Sequence, residues 1–272
     1  MKMKKYTFQP AIKWSGSKRS QAWNIVKLFP EFNRYYEPFV GGASIAYALN
    51  PAKGVCGDIC VPLIDLWEII KNDPDKLINE YKKNWIRLQE EGHVFYYYIR
   101  DRFNKTQNPY DLFFLSRTCV NGLIRFNKDG LFNNSLHHTR KGIHPEKLHK
   151  ILLDWSNRLK NIEFRKGDYR VTTQDITKND FIYLDPPYFN TRGRYYGTID
   201  FDEFITFLES LNSKGIKFAL SFDGKREDTN YMIELPKDLY KRHILLESGN
   251  SSFKKVMDKS PQKVYESLYM NW

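Results

Sequence analysis

Four consecutive residues, Asp185-Pro186-Pro187-Tyr188, put a carboxylate, two proline carbonyls and a phenol ring on one short stretch. Two successive prolines donate no backbone hydrogen bond and have locked φ angles, so neither a helix nor a sheet ladder can run through them. The residues in front, Phe181-Ile182-Tyr183-Leu184, form an unbroken apolar run of the kind buried on both faces of a parallel sheet. The chain therefore predicts a carboxylate and an aromatic ring on a stiff turn at the carboxyl end of a buried strand, where open α/β sheets bind ligands. Such a turn suits chemistry on an aromatic amino group, a poor nucleophile because its lone pair is delocalised into the ring. Asp185 and the Pro186 carbonyl are acceptors for its two hydrogens and favour a tetrahedral nitrogen, while Tyr188 can stack on the ring face.

A second constellation lies nearer the N-terminus. Tyr35-Tyr36-Glu37-Pro38-Phe39-Val40 runs into Gly41-Gly42 and then a small-residue helix from Ala43 to Leu49. A strand, a glycine turn and a helix start let backbone approach a ligand closely and offer free N–H groups. The next strand, Gly54-Val55-Cys56, leads to Asp58, the position at which dinucleotide folds hold ribose hydroxyls. The Gly-x-Gly-x-x-Gly spacing of a nicotinamide site is absent, which counts against a dehydrogenase. His137, His138, His144 and His149 cluster in sequence without acids or cysteines at zinc spacing, so no metal site is expected.

The elements that must position these residues follow in order. Ala22, Ile25, Val26 and Phe29 fall on one helical face that Pro30 closes. Leu63, Leu66, Trp67 and Ile70 line a helix, and Asp73-Pro74 opens another carrying Leu77, Ile78, Tyr81, Trp85 and Leu88 as far as Gly92. Residues 93–118 read as helix broken at Asn108-Pro109. Residues 120–142 combine the turn pairs Asn121-Gly122, Asp129-Gly130 and Asn133-Asn134 with Arg125, Lys128, Arg140 and Lys141, and predict an exposed basic hairpin and loop. A helix over 145–160 leads to a strand at Ile162–Arg165 ending in Gly167-Asp168-Tyr169. After the catalytic turn come a basic loop over 189–199, a helix ending at Gly215, a strand at Lys217–Phe222, and two late strands near 240–246 and 264–270.

The 272 residues allow one large domain or a domain with a sizeable insertion. A hydrophobic content of 41% supports a real core and excludes a disordered chain. The net charge of +11 favours a polyanionic partner. Three cysteines, an odd number in a chain too large to need staples, point to a reducing compartment. No apolar run approaches the ~20 residues of a membrane span, and Met1-Lys2-Met3-Lys4-Lys5 has no apolar stretch behind it, so the cytoplasm is expected.

Taken in order, these pieces resemble the Dam-like class of site-specific DNA adenine methyltransferases, of the bacterial or phage restriction-modification type. The resemblance runs nearly the whole length: Lys13-Trp14-Ser15-Gly16-Ser17-Lys18, Glu37 to Ser44, Gly57-Asp58, Asn121 to Asn127 with Gly130 and Phe132-Asn133, Gly167-Asp168-Tyr169, and Asp185 to Tyr188. It implies an α/β, Rossmann-like S-adenosylmethionine-dependent sheet over 1–60 and 161–272, with a mainly helical target-recognition insertion over 61–160. By this resemblance Trp14 and Lys18 border the S-adenosylmethionine pocket, and Gly41 and Gly42 pass beneath the methionine part with Glu37 and Phe39 beside them. Asp58 holds the ribose, Asp168 and Tyr169 sit at the cofactor adenine, and Asp185, Pro186 and Tyr188 face the target base. Asn121, Leu123, Arg125, Asn127, Lys128, Arg140 and Lys141 would meet double-stranded DNA, Arg125 as the reader. The implied partners are DNA and a separately acting restriction endonuclease, with the enzyme a monomer or weak dimer. The same turn also serves N(4)-cytosine and RNA adenine methyltransferases, and a catalytically silent DNA-binding copy would keep the fold. Two departures from the family pattern stand out. Ser17 replaces a glycine before Lys18, and Ala43-Ser44 stands where a third glycine is usual; both replacements are small, so the pocket is expected to survive with altered loop geometry.

Overall fold

Phe181–Leu184 is a strand with all four residues buried, as an apolar run without polar alternation requires. In a computed structural model, which describes residues 8–137, 139, 141–187, 199–222, 225–226, 229–230, 235–250 and 263–272, it lies near the middle of a mixed sheet. The strands are β1 (Tyr35–Glu37), β2 (Gly54–Asp58), β3 (Ile162–Lys166), β4 (Phe181–Leu184), β5 (Lys217–Phe222), β6 (Lys225–Arg226), β7 (Thr229–Asn230), β8 (Arg242–Asn250) and β9 (Lys263–Met270). β3, β2, β1, β4 and β5 run parallel in that spatial order. β9 then pairs antiparallel with β5, and β8 antiparallel with β9. The order of the parallel strands reverses between β1 and β4, the switch point at which doubly wound sheets open a crevice at their carboxyl ends. This is the expected Rossmann-like sheet, and both late strands form, slightly longer than the apolar runs that predict them.

The helices follow the apolar spacing. α1 (Ala22–Val26) is shorter than its face of apolar residues suggests. The chain on either side continues in i→i+3 turns, Gln21 to Lys18 and Phe29 to Val26, that run up to Pro30. α2 (Ser44–Leu49) starts after Ala43, and α3 (Val61–Asn72) buries Leu63, Leu66, Trp67 and Ile70 as expected. In α4 (Pro74–Glu91) the Asp73 carboxylate accepts from the Lys76 N–H at 3.1 Å, and the helix stops at Gly92 with φ +63°. α5 (His93–Thr106) and α6 (Pro109–Thr118) part at Asn108, whose side chain caps α6 through the Tyr110 N–H at 2.9 Å. Arg102 of α5 grips the fully buried Asp111 of α6 at 2.5 and 2.8 Å. α7 (Pro145–Leu159) returns to the sheet, and α8 (Tyr169–Thr172) and α9 (Phe201–Ser213) complete the set.

α3 packs on β2 and β3, α7 lies against α2, α3 and α4, and α5 and α6 complete the helical layer. The Trp67 ring stacks on Trp155 of α7 at 5.2 Å and on Phe164 of β3 at 6.3 Å. A buried ring of this size contributes about 3–5 kcal/mol when its loss leaves a cavity. One apolar cluster runs continuously from Ala11 through these helices to Met270.

The hairpin expected over 120–142 is present but is exposed on one face only. Antiparallel bridges join Cys119 to Leu136 and Phe126 to Phe132 without regular strands between them. Gly122, Ile124 and Phe126 are buried, whereas Asn121, Leu123 and Arg125 alternate outward. Phe132 packs edge-on against Phe103 of α5 and Phe126. A hairpin rich in Ile and Phe as well as charge has an apolar side to hide, and composition alone made it look solvated. The expected basic loop lies outside the described residues over 189–198, and so do Tyr188, His138 and Arg140. No helix among the described residues is long and apolar enough to cross a membrane.

Candidate active site

The carboxyl ends of β1, β2 and β4 and the N-terminal loop enclose about 970 Å³ of empty space, open mouth included. Asp58, Gly167, Asp168 and Tyr169 line one end, and Lys18, Asp185, Pro186 and Pro187 the other. Gly41 lies between them with φ +43°, and a Cβ there would stand 2.9 Å from the Trp14 ring. Glycine is needed on both counts. The Trp67 indole N–H donates to the Gly41 carbonyl at 2.9 Å, so the turn is held by Trp14 above and by helix α3 below. Trp67 looks in sequence like one more apolar position of an amphipathic helix, and nothing local marks its second task.

Asp58 ends β2 and organises the turn. Its Oδ2 accepts from the Gly41 N–H at 3.1 Å and its Oδ1 from the Cys60 N–H at 3.0 Å. Burial pushes its carboxyl up to about 6, against the lowering effect of these N–H donors. Glu37 is buried and its Oε2 accepts from the Tyr35 hydroxyl at 2.9 Å and the Ala46 N–H at 3.0 Å. Burial raises it to about 8, so it is neutral at pH 7.

At the Asp58 end, Asp168 caps α8, its Oδ1 accepting from the Arg170 N–H at 2.9 Å and from the Arg170 Nε at 2.8 Å. Both bonds fall on Oδ1, which is committed to its own turn. Tyr169 is buried against Phe39, Phe204 and Phe207, and its buried hydroxyl has no hydrogen-bond partner among the described residues. Ile59, 48% exposed, offers apolar surface at the same end.

Asp185 follows β4 directly. The Lys18 ammonium, on a side chain only 4% exposed, stands 3.0 Å from Asp185 Oδ1. Burial raises Asp185 to about 6, with Lys18 lowering it and Glu266 raising it. The family resemblance implies Lys18 at the cofactor; in the structure its ammonium stands against Asp185, at the start of the Asp-Pro-Pro turn.

The two departures from the family pattern meet in space. Ser17 Oγ and Ser44 Oγ are 2.7 Å apart, a hydrogen bond that two glycines could not make. Ala43 takes φ +50° and ψ 28°, the left-handed geometry that favours glycine. A glycine would take this conformation without the strain, and the hydroxyl pair ties the Ser17 loop to the start of α2.

Of the residues expected at DNA, Leu123 and Arg125 point outward from the hairpin, and Asn121 and Lys128 are exposed. Asn127 is instead used to build the tip, its Oδ1 accepting from the Asp129 and Leu131 N–H groups at 2.9 Å each. The Lys141 ammonium donates to the Gln89 carbonyl at 3.2 Å, which commits it to the helical face. The hairpin base is fastened to the N-terminal loop that holds Lys13 and Ser15. Ser15 Oγ donates to the Ile124 carbonyl at 3.0 Å, and a Cβ on Gly122 (φ +63°) would fall 2.1 Å from the Lys13 side chain.

Residues 14–252 match the D12 class N6 adenine-specific DNA methyltransferase family. The type II methyltransferase M.MjaIII of Methanocaldococcus jannaschii is 29% identical over 97% of this chain and 99% of its own length. M.FokI of Planomicrobium okeanokoites is 26% identical over 96% of this chain, which spans 43% of that larger protein. A DNA adenine methylase of Vibrio cholerae is 29% identical over 65% of this chain and 64% of its own. Among solved structures, an rRNA methyltransferase, aviRa from Streptomyces viridochromogenes, aligns over 98% of this chain and 86% of its own at 11% identity and a TM-score of 0.39. The fold assignment rests on the strand order above and not on that likeness.

Proposed function

The chain belongs to the D12 class of N6 adenine-specific DNA methyltransferases, and from that membership we propose that it methylates a flipped-out adenine at a specific site in duplex DNA, using S-adenosylmethionine. The observation that carries this reading is the continuous pocket from Asp58 to Asp185, with a glycine turn at its middle and the Asp-Pro-Pro turn at its end. The family favours the adenine of DNA over cytosine or RNA, and the Asp185–Lys18 pair supports an active enzyme over a silent copy.

The pocket fits the cofactor. The Tyr169 hydroxyl (unpartnered among the described residues), the exposed Ile59 and the Phe39 ring suit a purine edge and face, and Asp58 suits a ribose hydroxyl. When bound, S-adenosylmethionine supplies a methyl group activated by a sulfonium. The chain supplies the positioning. A base inside a duplex cannot reach the pocket, so the adenine swings out of the stack. Asp185 and the Pro186 carbonyl take its two amino hydrogens, and Tyr188 stacks on its face. Asp185 is too weak a base to strip the neutral amine first. It accepts a hydrogen bond, and takes the proton as positive charge develops on nitrogen.

We assign target recognition to residues 61–160, of which α3 also packs on the sheet, and sequence reading to the outward face of the hairpin. A modification enzyme of this kind would act in the cytoplasm as a monomer or weak dimer, with a cognate endonuclease acting separately. Incubation with labelled S-adenosylmethionine and duplex DNA, followed by sequencing for modified bases, tests the whole reading. Label in cytosine, or none in DNA, would refute it.

Arg125 separates a reader from a basic surface. An outward arginine can make a bidentate contact to guanine worth about 1–3 kcal/mol of discrimination, whereas lysines on phosphates add affinity without preference. Arg125→Ala should lose discrimination at one base of the recognition site. Lys128→Ala should weaken all duplexes alike and flatten the salt slope by about one unit. Binding of both variants to the native site and its single-base changes, across salt concentrations, checks this. Uniform loss in Arg125→Ala would make it a phosphate contact only.

A further inference from the structure

An antiparallel strand enters the sheet from the catalytic end. β9 pairs with β5 from Met270 opposite Ala219 to Ser267 opposite Phe222, and the next residue beyond that ladder is Glu266. β5 runs parallel to β4, so both strands finish at the same edge, where Asp185 follows Leu184. Glu266 therefore arrives beside the catalytic turn, and its carboxylate lies 3.4 Å from the Lys18 ammonium that also holds Asp185. Lys18 stands between two carboxylates contributed by strands about eighty residues apart in sequence.

The charge balance gives this geometry a consequence. A lone Lys18–Asp185 pair is neutral, and a cation 3.0 Å from the accepting carboxylate opposes the positive charge that develops on the target nitrogen. Glu37 offers no help at neutral pH, because burial keeps it protonated. With Glu266 the cluster carries a net negative charge facing the reacting amine. Opposed charges within a few ångströms in a partly desolvated site interact more strongly than in water, so the difference is not small.

We propose that Glu266 is a positioning residue for methyl transfer: it orients Lys18 and offsets its charge, so that Asp185 meets the adenine amino group as a full acceptor. This inference rests on the functional reading given above. The groups that face Asp185 among the described residues are Lys18 from the N-terminal loop, Glu266 from β9, Glu37 from β1 and Tyr183 from β4. Of these Glu266 raises the Asp185 carboxyl and Lys18 lowers it. Losing the Glu266 charge should therefore move the acid limb of the rate profile to lower pH.

The test compares single-turnover methylation of duplex DNA by the wild type, Glu266→Gln, Lys18→Met and the double variant, each checked for folding by thermal unfolding. Glu266→Gln should be about tenfold slower, as for the loss of one nearby charge through a partly screened interior. Its KM for DNA should stay within about twofold, since ground-state binding is untouched. Its acid limb should shift downward, and in the Lys18→Met background the same change should cost nothing further. A full rate in Glu266→Gln, an unmoved acid limb, or an equal loss with and without Lys18 would overturn the proposal. If the glutamine variant does not fold, Glu266→Ala, which also removes the charge, is judged by the same rate and pH criteria. Failure of the wild type to methylate DNA would instead defeat the functional reading itself.

Discussion

Asp185→Ala is expected to slow methyl transfer by about 10²–10⁴-fold, the range associated with a positioned acid–base group. Cofactor binding should persist, because the turn at Gly41 and its ties to Asp58 and Trp67 do not pass through Asp185. The substitution leaves Lys18 in its buried position with Glu266 still beside it, so the ammonium is not stripped of counter-charge. Asp185→Asn keeps the shape, and one acceptor oxygen, but not the proton affinity. It should therefore retain base capture better than rate. In the wild type the carboxylate must be ionised, and burial raises it to about 6. Protonation below that value removes the acceptor, so kcat/KM should fall as pH drops through about 6 and hold above it. Stopped single-turnover assays across pH give both answers. A folded Asp185→Ala protein methylating at near wild-type rate would dismiss the mechanism.

The second large effect is at Asp58. Its carboxylate accepts from the N–H groups of Gly41 and Cys60, and removing it leaves both donors unmatched in a buried turn. Each unsatisfied group costs about 1–3 kcal/mol, and hydrogen bonds to a charged partner fall in the same range. Asp58→Ala should accordingly weaken S-adenosylmethionine binding by about tenfold to a hundredfold, with a lower melting temperature alongside. Asp58→Asn can still accept from the Gly41 N–H, and should recover part of the stability. Calorimetric titration of both variants separates the two contributions. Unchanged affinity in a folded alanine variant would remove Asp58 from the site.

Much of what depends on neighbouring residues is legible in the sequence itself. The strand at Phe181–Leu184, its proline stop, the glycine turn at Gly41-Gly42, the caps at Asp73 and Asn108 and the late strands follow from steric limits and burial periodicity, which act over a few residues. The outward placement of Arg125, expected from the turn pairs on either side of it, is what the fold shows, with alternate residues of the segment facing opposite ways. What the sequence could not determine is which distant segments meet. Composition made the hairpin look wholly solvated, yet Phe126 and Phe132 bury one side of it and Ser15 ties its base to the N-terminal loop. Ser17 and Ser44 look like two separate departures from a family pattern until the fold brings them to 2.7 Å. Glu266 reads as an ordinary acid on a strand. Only the antiparallel insertion of β9 beside β5 carries it to Lys18, because strand order is decided by tertiary packing and leaves no local trace in the residues it joins.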